Sequence, residues 1–345
     1  MWRTLGHEPH KKLLAQAWRR GALAHAYLLL GIDQIGRKRL ALDIAKLANC
    51  QADATAEGPC DECRPCRRIE EGVHTDVVTL ARGEATPARK GRNISIEQVH
   101  RLQERALLSP YEGGAQVFII DGAEHLSIAA ANALLKTIEE PPASVKILLI
   151  ASSLDPLPST IASRCHVVNM SPATAAAVGA ALAGAELDEE LRRRIEALAE
   201  GRIGWALQAA RDPAELQLVE QALERCRALV DGDIQIRFAV ARELSDRWRK
   251  QRHGVLKELD SWLVLWRNMA RLKAAGGGTD APGGSDAPGI PPDMAHLLER
   301  FSPSAIAATW QAIADARDLL ERNATPRLAL EAMALKIPPA GGGAG

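Results

Sequence analysis

Three short, unbroken apolar runs mark the first half of the chain: Ala26-Tyr27-Leu28-Leu29-Leu30, closed by Gly31; Val117-Phe118-Ile119-Ile120; and Ile147-Leu148-Leu149-Ile150. Between them the period changes. From Arg37 to Asn49, apolar residues at 40, 41, 44, 45, 47 and 48 keep to one face of a helix. Strands apolar on both faces and separated by helices predict a parallel sheet covered on both sides. Residues 1–170 are therefore expected to form an α/β domain.

Past Ser171 the strand signal stops. Residues 171–213 are Ala-rich and helical, with a break near Gly201, and predict a small helical domain. Residues 214–338 predict an all-α C-terminal domain with long helical stretches such as Asp233 to Ala274. Within it, residues 276–292 hold Gly, Pro, Ser, Asp and Ala, a composition expected of a flexible loop. The closing residues 339–345 are expected to be a disordered tail. The length of 345 residues agrees with two or three domains, and no internal repeat is visible.

Composition changes this picture little. The chain is 47% hydrophobic and only 3% aromatic, so aliphatic side chains must supply most of the burial. Lys plus Arg and Asp plus Glu are 43 each. A protein that gripped DNA alone through many phosphates would carry a basic excess, so the main partners are expected to be proteins. Neither a signal-peptide core nor a run of ~20 apolar residues is present, so a cytoplasmic location without membrane contact is expected. In that compartment six cysteines do not imply disulfides.

The first chemical motif is Gly31-Ile32-Asp33-Gln34-Ile35-Gly36-Arg37-Lys38, between a strand and a helix. A working phosphate loop reads G-x-x-x-x-G-K-[ST]: backbone N–H groups cradle phosphates, the lysine reaches the terminal oxygens and the hydroxyl binds Mg²⁺. Both glycines are in place. Arg37 takes the lysine position and could still touch a phosphate; Lys38 takes the hydroxyl position, where it cannot ligate a metal. As a substitute lysine, Lys38 sits one residue late, turned about 100° around the helix. An unrelated strand-to-helix turn is the plainer alternative. The second motif is the strand ending in Asp121, a carboxylate that holds Mg²⁺ in ATPases with this loop. In the AAA+ group of such ATPases a Glu follows and polarises water; here Gly122 follows, and Glu124 is displaced. Both losses fall on hydrolysis.

Cys50, Cys60, Cys63 and Cys66 lie within 17 positions and supply the thiolates of a structural, four-coordinate Zn²⁺ site. A redox pair or scattered thiols are the alternatives, but a redox Cys-x-x-Cys does not need the other two. Cys165 and Cys226 are expected to be ordinary buried thiols. An amphipathic helix over Ala131–Glu139 ends at Pro141-Pro142. Ser163-Arg164-Cys165 follows, where spacing alone favours a solvated arginine or a local ion pair.

His25-Ala26-Tyr27, Ser109-Pro110-Tyr111-Glu112-Gly113-Gly114, Ala130-Ala131-Asn132-Ala133-Leu134-Leu135-Lys136, Ser163-Arg164-Cys165 and the cysteine cluster resemble the bacterial DNA polymerase III clamp-loader family of gamma/tau and delta-prime subunits. The resemblance covers about residues 4–170 strongly. It extends more weakly through a lid at 171–213 and a helical collar at 214–338, near Asn323–Glu331. It implies an AAA+ α/β domain with a zinc module at 50–66, then lid and collar. It also implies gamma/tau and delta partners through the collar, the sliding clamp, and primed DNA through the assembly. Departures at Arg37, Lys38, Gly122 and Gly204, the last aligned with the lid's sensor arginine while Arg202 is out of register, point to a delta-prime type that does not hydrolyse ATP. In the family the arginine matching Arg164 reaches the ATP site of a neighbouring subunit. The rival expectation is a gamma-type ATPase with an unorthodox loop. A zinc-dependent redox or transcription factor would need an open metal position or a basic groove, and a metabolic kinase the missing metal ligands.

Overall fold

A computed structural model describes residues 1–52, 57–81, 93–112, 114–155, 157–274, 294 and 296–338. The chain divides into two compact units: Met1–Ala173 with Gly201–Trp205, and Thr174–Glu200 with the residues from Ala206 onward.

In the first unit, helix α1 (Glu8–Arg19) leads into strand β1 (Ala26–Leu30), followed by α2 (Arg37–Asn49), α3 (Arg64–Glu70), β2 (Val77–Ala81), α4 (Ile96–Ala106) and β3 (Gln116–Asp121). Then come a 3-10 turn at Ala123–His125, α5 (Ile128–Glu139), β4 (Val145–Ala151), α6 (Ser159–Ala162) and β5 (His166–Asn169). The strands form one sheet in the order β2-β3-β4-β1-β5, every pairing parallel. Alternate side chains of a strand face opposite ways, and the two sheet faces sort accordingly. Leu28, Leu30, Phe118, Ile120, Ile147 and Leu149 pack with Leu102 of α4 and Leu134 and Ile138 of α5. Tyr27, Leu29, Val117, Ile119, Leu148 and Ile150 pack with Leu14 of α1 and Leu40, Ile44 and Leu47 of α2. Each fully buried Leu or Ile contributes about 1.5–3 kcal/mol.

The three apolar runs are thus the three inner strands. The two edge strands, β2 and β5, went unpredicted, because their half-covered positions need no apolar run: β2 is intermediate in burial throughout, and three of the four β5 residues are exposed.

The chain then forms α7 (Ala175–Leu182), α8 (Glu189–Ala199), α9 (Ile203–Arg211), α10 (Pro213–Asp231), α11 (Ile234–Trp248), α12 (Arg252–Ala274), α13 (His296–Arg300), α14 (Pro303–Glu321) and α15 (Pro326–Lys336). The break near Gly201 is present, with Glu200 and Gly201 both at positive φ. The expected continuous stretch from Asp233 to Ala274 is corrected to two helices, α11 and α12. No Gly or Pro occupies 249–251. The chain turns there on a polar run from Arg249 to His253, which lets Leu244 and Trp248 on one side, and Val255 and Leu259 on the other, reach the same core. That core is centred on Trp262 and Trp266, the latter edge-on to Phe301 at 5.1 Å. The segment 276–292, expected to be a flexible loop, and the tail 339–345 lie outside the described residues.

Candidate functional site

Helix α2 carries a candidate site at each end. Its N-terminal end follows the glycine loop. Gly31 leaves β1 at φ +150, where an added Cβ would collide with the Met170 carbonyl oxygen and the Ile35 side chain. Gly36 caps α2 at φ +104, a conformation that glycine adopts without a steric cost. The loop is held from several sides within the first unit. Gly204 N–H donates to the Gln34 carbonyl at 2.8 Å, and His7 Nε2 lies 2.9 Å from the Ile35 carbonyl oxygen. Ile35 itself is buried.

The loop's side chains point to each other. Arg37 is buried and ion-paired with Asp33 of the loop, and its Nη1 has no hydrogen-bond partner. Lys38 reaches across to the end of β3, with Nζ 3.2 Å from Asp121 Oδ2. Gly31, Gly36, Arg37, Lys38 and Asp121, singled out from sequence, are therefore brought into one loop-and-strand-end cluster. A Mg²⁺ ion, which ATPases of this class hold between a hydroxyl and this carboxylate, does not fit the residues present: an ammonium stands against Asp121, and no hydroxyl occupies position 38.

At two further positions the backbone itself disfavours a side chain. Gly122 has φ +83, and a Cβ there would lie 3.1 Å from the His125 ring. Glu124 turns away to accept the Ser152 N–H at 3.1 Å and hydroxyl at 2.7 Å. At Gly204 an added Cβ would come within 2.7 Å of the Gln34 carbonyl oxygen, so the loop backbone itself occupies the room a side chain would need. Arg202 stacks instead over the Trp205 ring, 5.3 Å from its centre.

At the other end, Cys50 is the C-cap of α2, Cys63 caps α3 and Cys66 lies inside its first turn. The four Sγ atoms of Cys50, Cys60, Cys63 and Cys66 lie within 4.8 Å of one another, with Cys60 and Cys66 4.0 Å apart. Thiolates around Zn²⁺ at ~2.3 Å stand about 3.8 Å from each other, so the set fits the ion with little adjustment. Backbone N–H groups of Cys60 and Cys63 approach the sulfurs of Cys50 and Cys60 at 3.4 and 3.3 Å. Burial raises the Cys60 thiol, yet the N–H groups of Cys63 and Glu62 outweigh it and bring it down to about 7. Burial, with neighbouring thiols, pushes Cys66 well up. Cys165 and Cys226 stand apart, each pushed up to about 12 by burial.

A charge network that sequence reasoning missed ties this module to α2. Fully buried Lys46 pairs with Asp61 of the cysteine loop and, at 2.8 Å, with Glu70 of α3. Glu70 also accepts both bonds of Arg39, at 2.7 and 2.8 Å, and Arg3 bonds Asp61 at 2.8 Å. The only sequence hint was Asp61 inside the cysteine spacing.

Arg164 lies in the turn between α6 and β5. Its Nε is 2.7 Å from Glu139 Oε1 at the end of α5, and its Nη1 bonds the Thr160 carbonyl at 3.1 Å. Both members of the pair are exposed, at 40% and 47%. Ser127 starts α5 by accepting the Ala130 N–H, and Pro141-Pro142 follow its end, which fixes where Glu139 stands.

Comparison with known proteins matches residues 6–174 to the family model described as DNA polymerase III, delta subunit. Relatives include the DNA polymerase III subunit gamma of Buchnera aphidicola, 37% identical over 42% of this chain and 38% of that one. The subunit tau of Escherichia coli is 36% identical over 47% of this chain and 24% of that one. The subunit delta' of Pseudomonas aeruginosa is 38% identical over 44% of this chain and 45% of that one. The chain thus spans less than half the length of each. Among the described residues no helix is long and apolar enough to cross a membrane.

Proposed function

Residues 6–174 belong to the AAA+ clamp-loader family of bacterial DNA polymerase III, and on that premise we propose that this chain is a delta-prime-type subunit that hydrolyses no ATP itself. Gamma, tau and delta-prime relatives match at similar identity, so the choice among them rests on the site. The observation that carries it is the β3 end: Gly122, in a left-handed conformation, stands where a water-polarising carboxylate would be, and Glu124 is bound to Ser152. Nothing at that position can activate a nucleophile. ATP turnover by the purified chain, measured alone and with a gamma/tau partner, tests the reading. Turnover is expected only with the partner; Mg²⁺-dependent hydrolysis by the isolated chain would establish the gamma-type alternative.

On this reading Arg164 acts in trans. Released from Glu139, its guanidinium would reach the ATP bound by an adjacent subunit and stabilise charge on the transferred phosphoryl group. The residues at 171–213 and 214–338 would serve as lid and collar, the collar joining gamma/tau and delta subunits. The assembly would open the sliding clamp on primed DNA. Such arginines supply roughly 10³-fold or more, so R164A should cut the partner's DNA-stimulated ATPase by at least about tenfold while assembly persists.

The four cysteines would hold a structural Zn²⁺, whose role is to cross-link the loop to α2 and α3. All four positions come from the protein, so no site remains for a substrate. Metal analysis of the purified chain should give one zinc.

A further inference from the structure

The Lys38–Asp121 pair lies at the position where the fold would place a divalent cation, and the residues do not fit that cation. We infer that Lys38 is the site's resident cation: its ammonium takes the metal's place on Asp121, keeps divalent ions out, and joins the first turn of α2 to the end of β3 without any nucleotide. This rests on reading the site as non-hydrolysing and adds how the metal is excluded.

Three observations carry the inference. Lys38 occupies the motif position whose hydroxyl would be the metal ligand, so one side chain both removes a ligand and supplies a charge. Its Nζ stands 3.2 Å from Asp121 Oδ2, inside the space a bound ion would need. The rest of the loop also makes internal contacts: Arg37 Nη2 pairs with Asp33, while its Nη1 has no partner, the Gln34 carbonyl accepts from Gly204 N–H and the Ile35 carbonyl meets His7. Lys38 is 59% and Asp121 31% exposed, and pairs that open to water add little stability. The consequence of the pair is therefore exclusion of a metal rather than strength of the fold.

The test compares R37K with R37K/K38T, so that the loop lysine is restored in both and position 38 is the single difference. The probe is a non-hydrolysable β,γ-imido ATP analogue, with Mn²⁺ as a paramagnetic stand-in for Mg²⁺. Because Mg²⁺-type ions bind through one carboxylate, a hydroxyl and phosphates together, R37K/K38T should bind the analogue about tenfold or more tightly with Mn²⁺ than without. Its bound Mn²⁺ should give an altered resonance signal, and adding D121N should erase both. Wild type and R37K should show no gain from the metal. A similar Mn²⁺ gain in wild type, or none in an R37K/K38T chain with an unchanged melting temperature, overturns the inference. A wild-type chain that binds the metal–analogue complex yet turns over no ATP sinks this inference alone and leaves the delta-prime reading standing.

Discussion

The two ends of α2 treat positive charge in opposite ways. At the N-terminal end the chain brings its own cations, Arg37 and Lys38, to a place that ATPases reserve for a metal and phosphates. At the C-terminal end it gathers four sulfurs within 4.8 Å of one another, a set that could take a metal ion. On the reading proposed above, the same helix would exclude one metal and hold another. The difference teaches that the ligand residues at one end could change without loosening the scaffold, since Lys46, Arg39 and Asp43 anchor α2 to the cysteine module and the N-terminal segment regardless. Asp43 is fully buried and accepts the Thr4 N–H and hydroxyl at 2.8 and 2.7 Å.

The comparison breaks most severely at the sulfur end. Structural zinc contributes on the order of 10 kcal/mol to isolated small modules, though here part of the module is also held by the charge network. C63S should therefore remove the zinc, lower the melting temperature by many degrees, and raise hydrogen exchange across 57–70 more than in β1 and β4. Unchanged melting in a metal-free C63S chain would show that the thiols pack without an ion.

The next largest effect belongs to the network between the two ends. Replacing Lys46 by Met strands Asp61 and Glu70 against each other. Breaking a buried pair from one side costs ~3–5 kcal/mol; Glu70 keeps Arg39 and some solvent, so the lower part of that range is expected. Chemical denaturation of K46M measures it, and K46M/E70Q should recover part of the loss.

Much of this was legible in the sequence, and the reasons are physical. Strands β1, β3 and β4 are covered on both faces, so each had to be a bare apolar run; β2 and β5 lie at the edges and carry no such constraint. The glycine spacing, the substituted Arg37 and Lys38, and the cysteine spacing are local patterns, visible in a few adjacent residues. What could not be read were partners brought together by the tertiary fold: Lys38 with Asp121, Arg164 with Glu139, Lys46 with Asp61 and Glu70. Each pair is separated by 15 or more positions, and charged residues carry no periodic signal that names a partner. The α11–α12 break was hidden for another reason, since nothing at 249–251 forbids a helix. Only the shared core behind it requires the turn.

A smaller effect tests whether the nucleotide end differs in backbone as well as side chain. Restoring a carboxylate with G122E should not restore hydrolysis. A side chain at φ +83 pays roughly 1–2 kcal/mol in left-handed strain, and its Cβ would press on His125. Denaturation should register that loss, and ATP turnover should stay absent even when R37K/K38T is added. Vigorous turnover in the triple variant would mean that the backbone can relax and that side chains alone had silenced the site.

The smallest effect separates both ends of α2 from the sheet edge beside them. His74 is buried, its Nδ1 accepts the Asp76 N–H at 3.2 Å, and its Nε2 lies 3.8 Å from Glu112. Burial lowers its pKa below the ordinary 6.5 despite the nearby carboxylates. The native state therefore binds fewer protons than the unfolded chain between the two values, and stability must fall as pH drops below about 6.5. Asp61 and Glu70 behave differently: pairing with Lys46 outweighs their burial and holds them below the usual carboxylate range. Their stabilisation is present above that range and is lost only at more acid pH, so that loss begins at lower pH than the loss at His74. Burial lowers His7 in the same direction as His74, so H74Q should flatten the stability slope below about pH 6.5 without abolishing it. K46M should leave that slope intact and change the one below it. If H74Q kept the full wild-type slope, the mild-acid sensitivity would have to come from elsewhere, and His7 at the nucleotide loop would be the next residue to replace.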